Sequence, residues 1–497
     1  MTGPADTKGA APAARPLFDA GFCEPGRRKL ILVAAILASS MGFIDGTVTA
    51  IAMPDIRAAL GASLADAQWI HNAYMVTISA LILAGGALGD KFGLARTFSL
   101  GIGLFMAMSA ICALAPTTQT LILARFAQGA GAALMVPGSL AIISRAYPRA
   151  KRGRAIALWA SASAITTAMG PIVGGLALSF GGDEVWRWIF AINLPLGALA
   201  LVLVRRGVAR DNGKPDRPVD GAGAALATLA LGLLAWAMIS AEGGFDTRSL
   251  SYAGLGVLAF IAFLVQERRA PAPIMPLSLF SRSRVFTIAN LVTFLLYFCL
   301  SAVLFYLPML LIAGWGMTEI IAASAWAPMS LLIFLFAGRA GRLADRIGPG
   351  PLMTSGAALI GLAYGWLAVA IIGRDFLTDV LAPMTLMGLG MALVVAPLSA
   401  AVMKSVADDQ TGIASGVNNA ISRSAGLVAV AAIGPIAAGR YGLAGGPETY
   451  GAKSPAPDHV AAMTTAFSDL AWIFAGLALL AALASAIGLR PAMLQDR

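Results

Sequence analysis

A chain of 497 residues that is 58% apolar and only 12% charged is not an ordinary soluble protein, a class in which roughly a quarter of residues carry charge. Its composition suits a bilayer. A net charge of +10 invites a nucleic-acid reading, but the basic residues sort by loop and form no single patch, so their excess reports topology and leaves anionic lipid as the implied contact.

Hydrocarbon thickness calls for about 20 apolar residues per helix. In chain order that window predicts fourteen spans, at 30–53, 67–88, 97–115, 121–143, 155–180, 185–204, 221–241, 250–266, 285–312, 318–337, 351–372, 377–403, 412–438 and 467–489. Residues 1–28, rich in Ala, Pro and Gly, read as a disordered cytoplasmic tail. Span 1 is too long for the apolar core of a cleaved signal peptide, so it is expected to remain as the first helix. Loops that would face inward hold Arg27, Arg28, Lys29, Lys91, Arg96, Arg145, Lys151, Arg152, Arg154, Arg342, Arg346 and Lys404, whereas the outward loops are sparsely basic. This positive-inside bias predicts a multi-pass protein of the cytoplasmic (inner) membrane with both termini inside. Cys23, Cys112 and Cys299 show neither metal nor redox spacing, and neither a metal nor a cofactor is expected.

An internal repeat sets the expected architecture. GALGDKFG (86–93) follows span 2 and GRLADRIG (341–348) follows span 10, the same GxLxD[KR]xG string twice. Pro54 and Pro308, Pro137 and Pro397, and Gly153 and Gly412 keep nearly the same offset, about 255 residues. A six-helix bundle is therefore expected at 29–204 and again at 285–490, joined by a linker with two additional helices at 205–284 and followed by a cytoplasmic C-terminus at 491–497. The fold class is all-α and polytopic. Duplicated units of this kind suit secondary transporters, whose site lies near the midplane between the halves.

Several strings resemble the major facilitator superfamily, in particular its fourteen-span drug:proton antiporter branch. IDGTVTAIAMP (44–54) is similar to the acid-Thr-Val signature of that branch, and GxLxD[KR]xG is similar to the family's loop box. LILARFAQGAGAA (121–133) fits the family's LxxxRxxxGxGxA pattern, and GPIVGG (170–175) is followed by WRWIFAINLPLG (186–197), which looks like the opening of the branch's sixth span. The resemblance covers all the spans and implies proton-coupled multidrug efflux. It also implies that Gly170, Pro171, Gly174 and Gly175 form the antiporter motif, and only this association supplies the direction of transport. The resemblance fails at one point, where Leu94 and Ala95 separate Gly93 from Arg96.

The residues have physical readings of their own. Asp45 stands well inside span 1, where a charge costs several kcal/mol, by about 2.5 to 3.5 on insertion scales, and usually faces a bundle interior or a wet cavity. Arg125 is the matching charge in span 4, and both residues fall in the outer half of the bilayer, at depths of roughly 13 and 8 Å. If both helices face one cavity, as the resemblance implies, the two charges can meet there, with Asp45 as the proton-coupling carboxylate. Neither has a charged counterpart in the second half, where the offset leads to Cys299 and Thr385. In the repeated loops, Gly86, Gly93, Gly341 and Gly348 permit tight turns, Lys91 and Arg346 supply charge, and Asp90 and Asp345 can accept from helix N-terminal amides as a cytoplasmic gate. Gly170, Gly174 and Gly175 allow close helix approach.

Trp69, Tyr74, Asn290, Tyr297, Phe298 and Tyr306 are candidates for a substrate cavity, and aromatic walls suit flat lipophilic compounds, cationic or neutral. Arg423, near the midplane of span 13, needs a partner that the sequence does not name, and His71 titrates near neutrality. The predicted activity is proton-coupled efflux of amphiphilic small molecules by a monomer. A specific metabolite or lipid is the alternative cargo. A membrane enzyme would need a nucleophile, metal cluster or paired carboxylates at one interface, and a sensor would need a folded soluble domain.

Overall fold

Asp45 is carried by a helix longer than the hydropathy window, α1 (Arg28–Leu60), which continues through Pro54 and stops at Gly61, whose φ of 59° is left-handed. The computed structural model describes residues 21–179, 184–213, 218–241, 244, 246–407 and 410–489, without the side chains of 149, 161, 164, 165, 167–169 and 171. Most of the expected tail and the last eight residues therefore lie outside the described residues. The end of that tail is held: Phe22 and Cys23 are buried, and the Phe22 carbonyl accepts from the Ala209 amide at 2.9 Å.

The first bundle continues with α2 (Leu64–Phe92), α3 (Leu94–Ala113), α4 (Thr118–Ala146) and α5 (Arg149–Ser179). A capping box between Ser63 and Asp66 starts α2, satisfying two of the amides a helix N-terminus leaves open. The sixth span is split into α6 (Trp186–Ala191) and α7 (Asn193–Gly207), with the break just before Pro195, whose ring nitrogen has no hydrogen to donate. The two extra helices are α8 (Gly221–Ile239) and α9 (Thr247–Arg269), and a short α10 (Ser278–Arg282) leads to the second bundle.

There α11 (Arg284–Pro308) passes at Pro308 into a π-helical turn, Met309–Gly314. The tenth span is divided into α12 (Glu319–Ser324) and α13 (Ala327–Ile347); α14 (Pro349–Ala370), α15 (Ala382–Lys404), α16 (Thr411–Leu443) and α17 (Pro457–Gly488) complete the set. Among the described residues, thirteen helical stretches are long and apolar enough to cross a membrane. The remaining predicted span corresponds to α5, which at 31 residues is long enough but mixes Ser, Thr and Gly with its apolar residues.

α1 packs on α4, α5 and α7, and α4 also packs on α2 and α3; α14 packs on α15 and α17, and α11 on α16 and α17. These are the two bundles. They meet where α2 touches α16 and where α5 touches α12 and α13, while α8 and α9 pair and α8 lies against α2 and α16.

The hydrogen bonds joining the bundles gather at the end away from Gly93 and Gly348. Arg57 donates to the Tyr450 carbonyl at 2.8 Å and Lys453 to Asp55 at 2.5 Å. The Ser179 hydroxyl donates to Glu319 at 3.3 Å and accepts from the Ile320 amide at 3.2 Å. The connection from 444 to 456, between α16 and α17, is thus fastened to α1 and contains no strand. Toward the basic end Gly153 on α5, Gly338 on α13 and Gly412 on α16 face no neighbouring helix, and one turn further along α16 Gly416 rests against Leu83 of α2.

Within each bundle, glycine sets how closely helices approach. A Cβ on Gly131 of α4 would stand 2.7 Å from the Phe105 amide nitrogen and 3.0 Å from the Gly101 carbonyl oxygen of α3. Backbone cannot yield as a side chain tip can. Gly131→Val is expected to lower stability by about 1–3 kcal/mol through overpacking, whereas Gly86→Ala, which meets nothing within 4 Å, should not. Thermal unfolding of both variants in detergent checks the contrast.

Candidate functional site

α1 and α4 bring the two deep charges into contact. Arg125 Nη1 donates to Asp45 Oδ2, and neither side chain has any exposed surface. Gln128, one helical turn along α4, completes the arrangement by accepting from Arg125 Nη1 at 2.7 Å and donating to Asp45 Oδ1 at 2.9 Å. The same amide donates to Ser109 Oγ on α3 at 2.8 Å, and Asn193 of α7 reaches that hydroxyl at 3.3 Å.

The guanidinium is further held by the Ile70 carbonyl at 3.2 Å, and its plane lies 4.5 Å from the Tyr74 ring centre and 5.7 Å from that of Phe190. Its Nη2 has no partner. A buried pair of this kind offsets its desolvation only when further hydrogen bonds satisfy the remaining sites; Gln128 and the Ile70 carbonyl supply most of these, Nη2 being the exception. Sequence reading missed Gln128, Ser109 and Asn193. The signal for Gln128 was its place three residues after Arg125 on the same face.

GPIVGG is where α5 approaches both bundles. A Cβ on Gly170 would lie 2.7 Å from Thr47 Oγ1 of α1, Gly174 rests against Val48, and a Cβ on Gly175 would lie 2.7 Å from the Glu319 carbonyl of α12. The Pro171 side chain lies outside the described residues. Thr166 on α5 shares a hydrogen bond with Ser40 of α1 at 3.0 Å.

At the basic end the repeated loops turn at Gly93 and Gly348, with φ of 105° and 85°, a region open mainly to glycine. Asp90, Asp345 and Arg346 are exposed, and Lys91 lies 5.5 Å from the Phe92 ring centre. Asp345 accepts from Lys404 at 2.7 Å within its own bundle. The start of α3 is capped by a residue not singled out from sequence, Asp211 of the linker, which accepts from the Arg96 amide at 2.8 Å. Gly341 rests against Ala396, and Gly86 faces open space.

The six candidate cavity residues separate. Trp69 stacks with Phe126 and Trp236, at 6.0 and 5.2 Å, so it packs α2 against α4 and α8. Tyr306 is buried at the closed end, donating to the Val430 carbonyl at 2.7 Å and accepting from Gln68 at 3.1 Å. Asn290 is buried and accepts from Asn418 of α16 at 3.0 Å. Tyr74 belongs to the housing of Arg125. Tyr297 and Phe298 are partly exposed on α11, and Arg423 lies within coulombic reach of Tyr74 and Tyr297. His71 is buried, its ring 5.4 Å from that of Phe305, and neither nitrogen has a partner.

The sequence profile described as Major Facilitator Superfamily matches residues 34–430. The chain is 34% identical over 410 residues to a methylenomycin A resistance protein of Bacillus subtilis (strain 168), covering 82% of this chain and 87% of that one. It is 31% identical over 421 residues to the tetracenomycin C resistance and export protein of Streptomyces glaucescens, covering 84% and 77%. A solved structure of a bacterial homolog of the human lysosomal transporter Spinster, inward-facing and unoccupied, superposes with a TM-score of 0.65 at 15% identity over 94% of this chain and 97% of that one, a likeness of fold.

The pair predicts a mutational asymmetry. Arg125→Leu leaves Asp45 as an uncompensated buried charge and should cost about 3–5 kcal/mol of stability. Asp45→Leu together with Arg125→Leu removes both charges and should recover most of that loss. Denaturation of Asp45→Leu, Arg125→Leu and the double variant in micelles measures it, and a loss in the double variant equal to the sum of the two single losses would show that the side chains act independently.

Proposed function

The chain belongs to the Major Facilitator Superfamily of transporters, and on that premise we propose that it exports amphiphilic small molecules in exchange for protons, with Asp45 as the coupling carboxylate and Arg125 as its charge partner. The observation that carries the reading is the enclosed Asp45–Arg125–Gln128 network at the edge of the seam between the bundles. The similarity to a resistance protein and to a resistance and export protein supports outward transport.

The basic end is taken as cytoplasmic by the positive-inside rule. The bundles then touch on the outer side and part on the inner side, an inward-open arrangement. Rocking about the α2–α16 and α5–α12 contacts would exchange the open side. In the closed outer end, Asp45 is sealed by Arg125. When a proton neutralises the carboxylate, the guanidinium loses its counter-charge and must turn to other acceptors or to water. That change at the hub of α1, α3, α4 and α7 biases the packing of α1 on α5, and α5 in turn carries the contact with α12. Moving one charge across 100 mV supplies about 2.3 kcal/mol per cycle.

The gate loops fit the same cycle. Asp345 is paired with Lys404 and lies exposed while the inner side is open. Closure there would bring the Asp90 and Asp345 loops against helix ends of the opposite bundle.

Asp45→Asn keeps the shape of the side chain and removes its titration. In proteoliposomes it should abolish uptake or release driven by an imposed pH gradient while leaving substrate binding in place. Gradient-driven transport at the wild-type rate in that variant would sink the proton mechanism.

A further inference from the structure

The proton reading occupies one of two deep cations and leaves the other without a role. Arg423, on α16, is partly buried, its Nε is enclosed without an acceptor, and no carboxylate among the described residues pairs with it. An arginine keeps its charge in any protein environment. At membrane depth such a charge requires a partner.

The described residues offer none. The carboxylate nearest in depth, Asp45, is consumed: Oδ2 is taken by Arg125, Oδ1 by Gln128 at 2.9 Å, and the side chain is fully enclosed. Arg125 and Asp45 cancel, so the charge left uncompensated between the bundles is positive. Tyr74, whose ring lies 4.5 Å from the Arg125 guanidinium, is also within coulombic reach of Arg423. Tyr297 flanks Arg423 from α11, where Phe294 and Phe298, 6.4 Å apart, extend an aromatic wall. Asn419, one turn below Arg423, is exposed, and Gly412 on α16 and Gly46 on α1 have nothing within 4 Å.

Given the transporter reading above, on which this rests, we infer that the cargo is an acidic aromatic molecule, a carboxylate or phenolate on a flat apolar frame, whose anionic oxygen pairs with Arg423 between Tyr74 and Tyr297. A guanidinium fork matches a carboxylate with two parallel hydrogen bonds. A lipophilic cation, the class suggested by aromatic residues alone, finds no unoccupied carboxylate here and meets an unpaired like charge in a medium of low dielectric. The anion and the proton act at separate groups, so exchange of one monoanion outward for one proton inward moves charge inward in both legs and is accelerated by an inside-negative potential.

The test compares fluorescein, an aromatic carboxylate and phenolate, with ethidium, an aromatic cation, for binding to the purified full-length protein and for transport in proteoliposomes. The wild type should prefer fluorescein. Arg423→Gln should weaken fluorescein binding by roughly thirtyfold, the scale for truncating one partner of a buried charge pair. Arg423→Lys, which keeps the charge and loses the fork, should weaken it less, and ethidium binding should be unchanged or improved in both. Preference of the wild type for ethidium, absence of fluorescein binding, or fluorescein binding unaltered in Arg423→Gln would each overturn the inference; if Arg423→Gln does not fold, the wild-type preference and Arg423→Lys decide. Fluorescein transport without proton movement would remove the coupling reading and leave this one standing. Proton-coupled ethidium export indifferent to Arg423 would do the reverse.

Discussion

A carboxylate and a guanidinium, each intolerable alone in hydrocarbon, neutralise one another between α1 and α4, and much of the first bundle is arranged to keep them together. Gln128 closes the ring of hydrogen bonds, Ser109 and Asn193 tie it to α3 and α7, and Tyr74 and Phe190 cover the guanidinium face. Such a network rigidifies while it is complete and becomes costly when one member changes charge. On the proposed coupling, the interaction gives the bundle two energetic conditions, set by a single proton at Asp45.

The duplicated architecture makes the lack of duplication at this site informative. The two loops at Gly93 and Gly348 share sequence and left-handed turns, so the repeat is kept where helices must turn tightly. At Asp45 and Arg125 it is not kept. Cys299 is buried in apolar surroundings and Thr385 bonds only to its own helix, at the Leu381 carbonyl, 2.7 Å away. The second bundle contributes a different charge, Arg423, on a different helix. One half thus holds the compensated Asp45–Arg125 pair and the other a cation with no carboxylate paired to it among the described residues, a division that a symmetric pair of sites would not permit.

The spans were legible because hydrocarbon thickness imposes a length that composition alone reveals, and the bundle count followed from the repeated loop. The deep charges were legible for the same reason, since Asp45 and Arg125 interrupt otherwise apolar runs. What the sequence did not disclose was partnership among neutral residues. Gln128, Ser109 and Asn193 are ordinary polar residues in a helix until three-dimensional packing turns them to one point, and Asp211 caps α3 from 115 residues away. Helix breaks were only partly readable: Pro195, Pro308 and Pro328 mark three, but the helical run of α1 beyond Pro54 carries no such signal. The aromatic candidates separated for a related reason. Trp69 and Tyr306 look alike in hydropathy, yet α8 covers one and the closed outer end encloses the other.

That outer end shows why the arrangement can reverse. It is held by Arg57, Lys453, Gln68 and Ser179, each bonding across the bundles, but its closure also leaves His71 and Asn72 buried with no partner for their polar atoms. An unsatisfied buried group costs about 1–3 kcal/mol, comparable to what a single cross-bundle hydrogen bond returns. Opening the outer side would lose the bonds and admit water to the orphaned groups, so the two changes offset one another in part. A transporter needs its states to lie within a few kcal/mol, so that a proton and a cargo can select between them. Cross-bundle bonds and unsatisfied groups at the same end supply that near-balance, which, on the proposed coupling, protonation of Asp45 would tip.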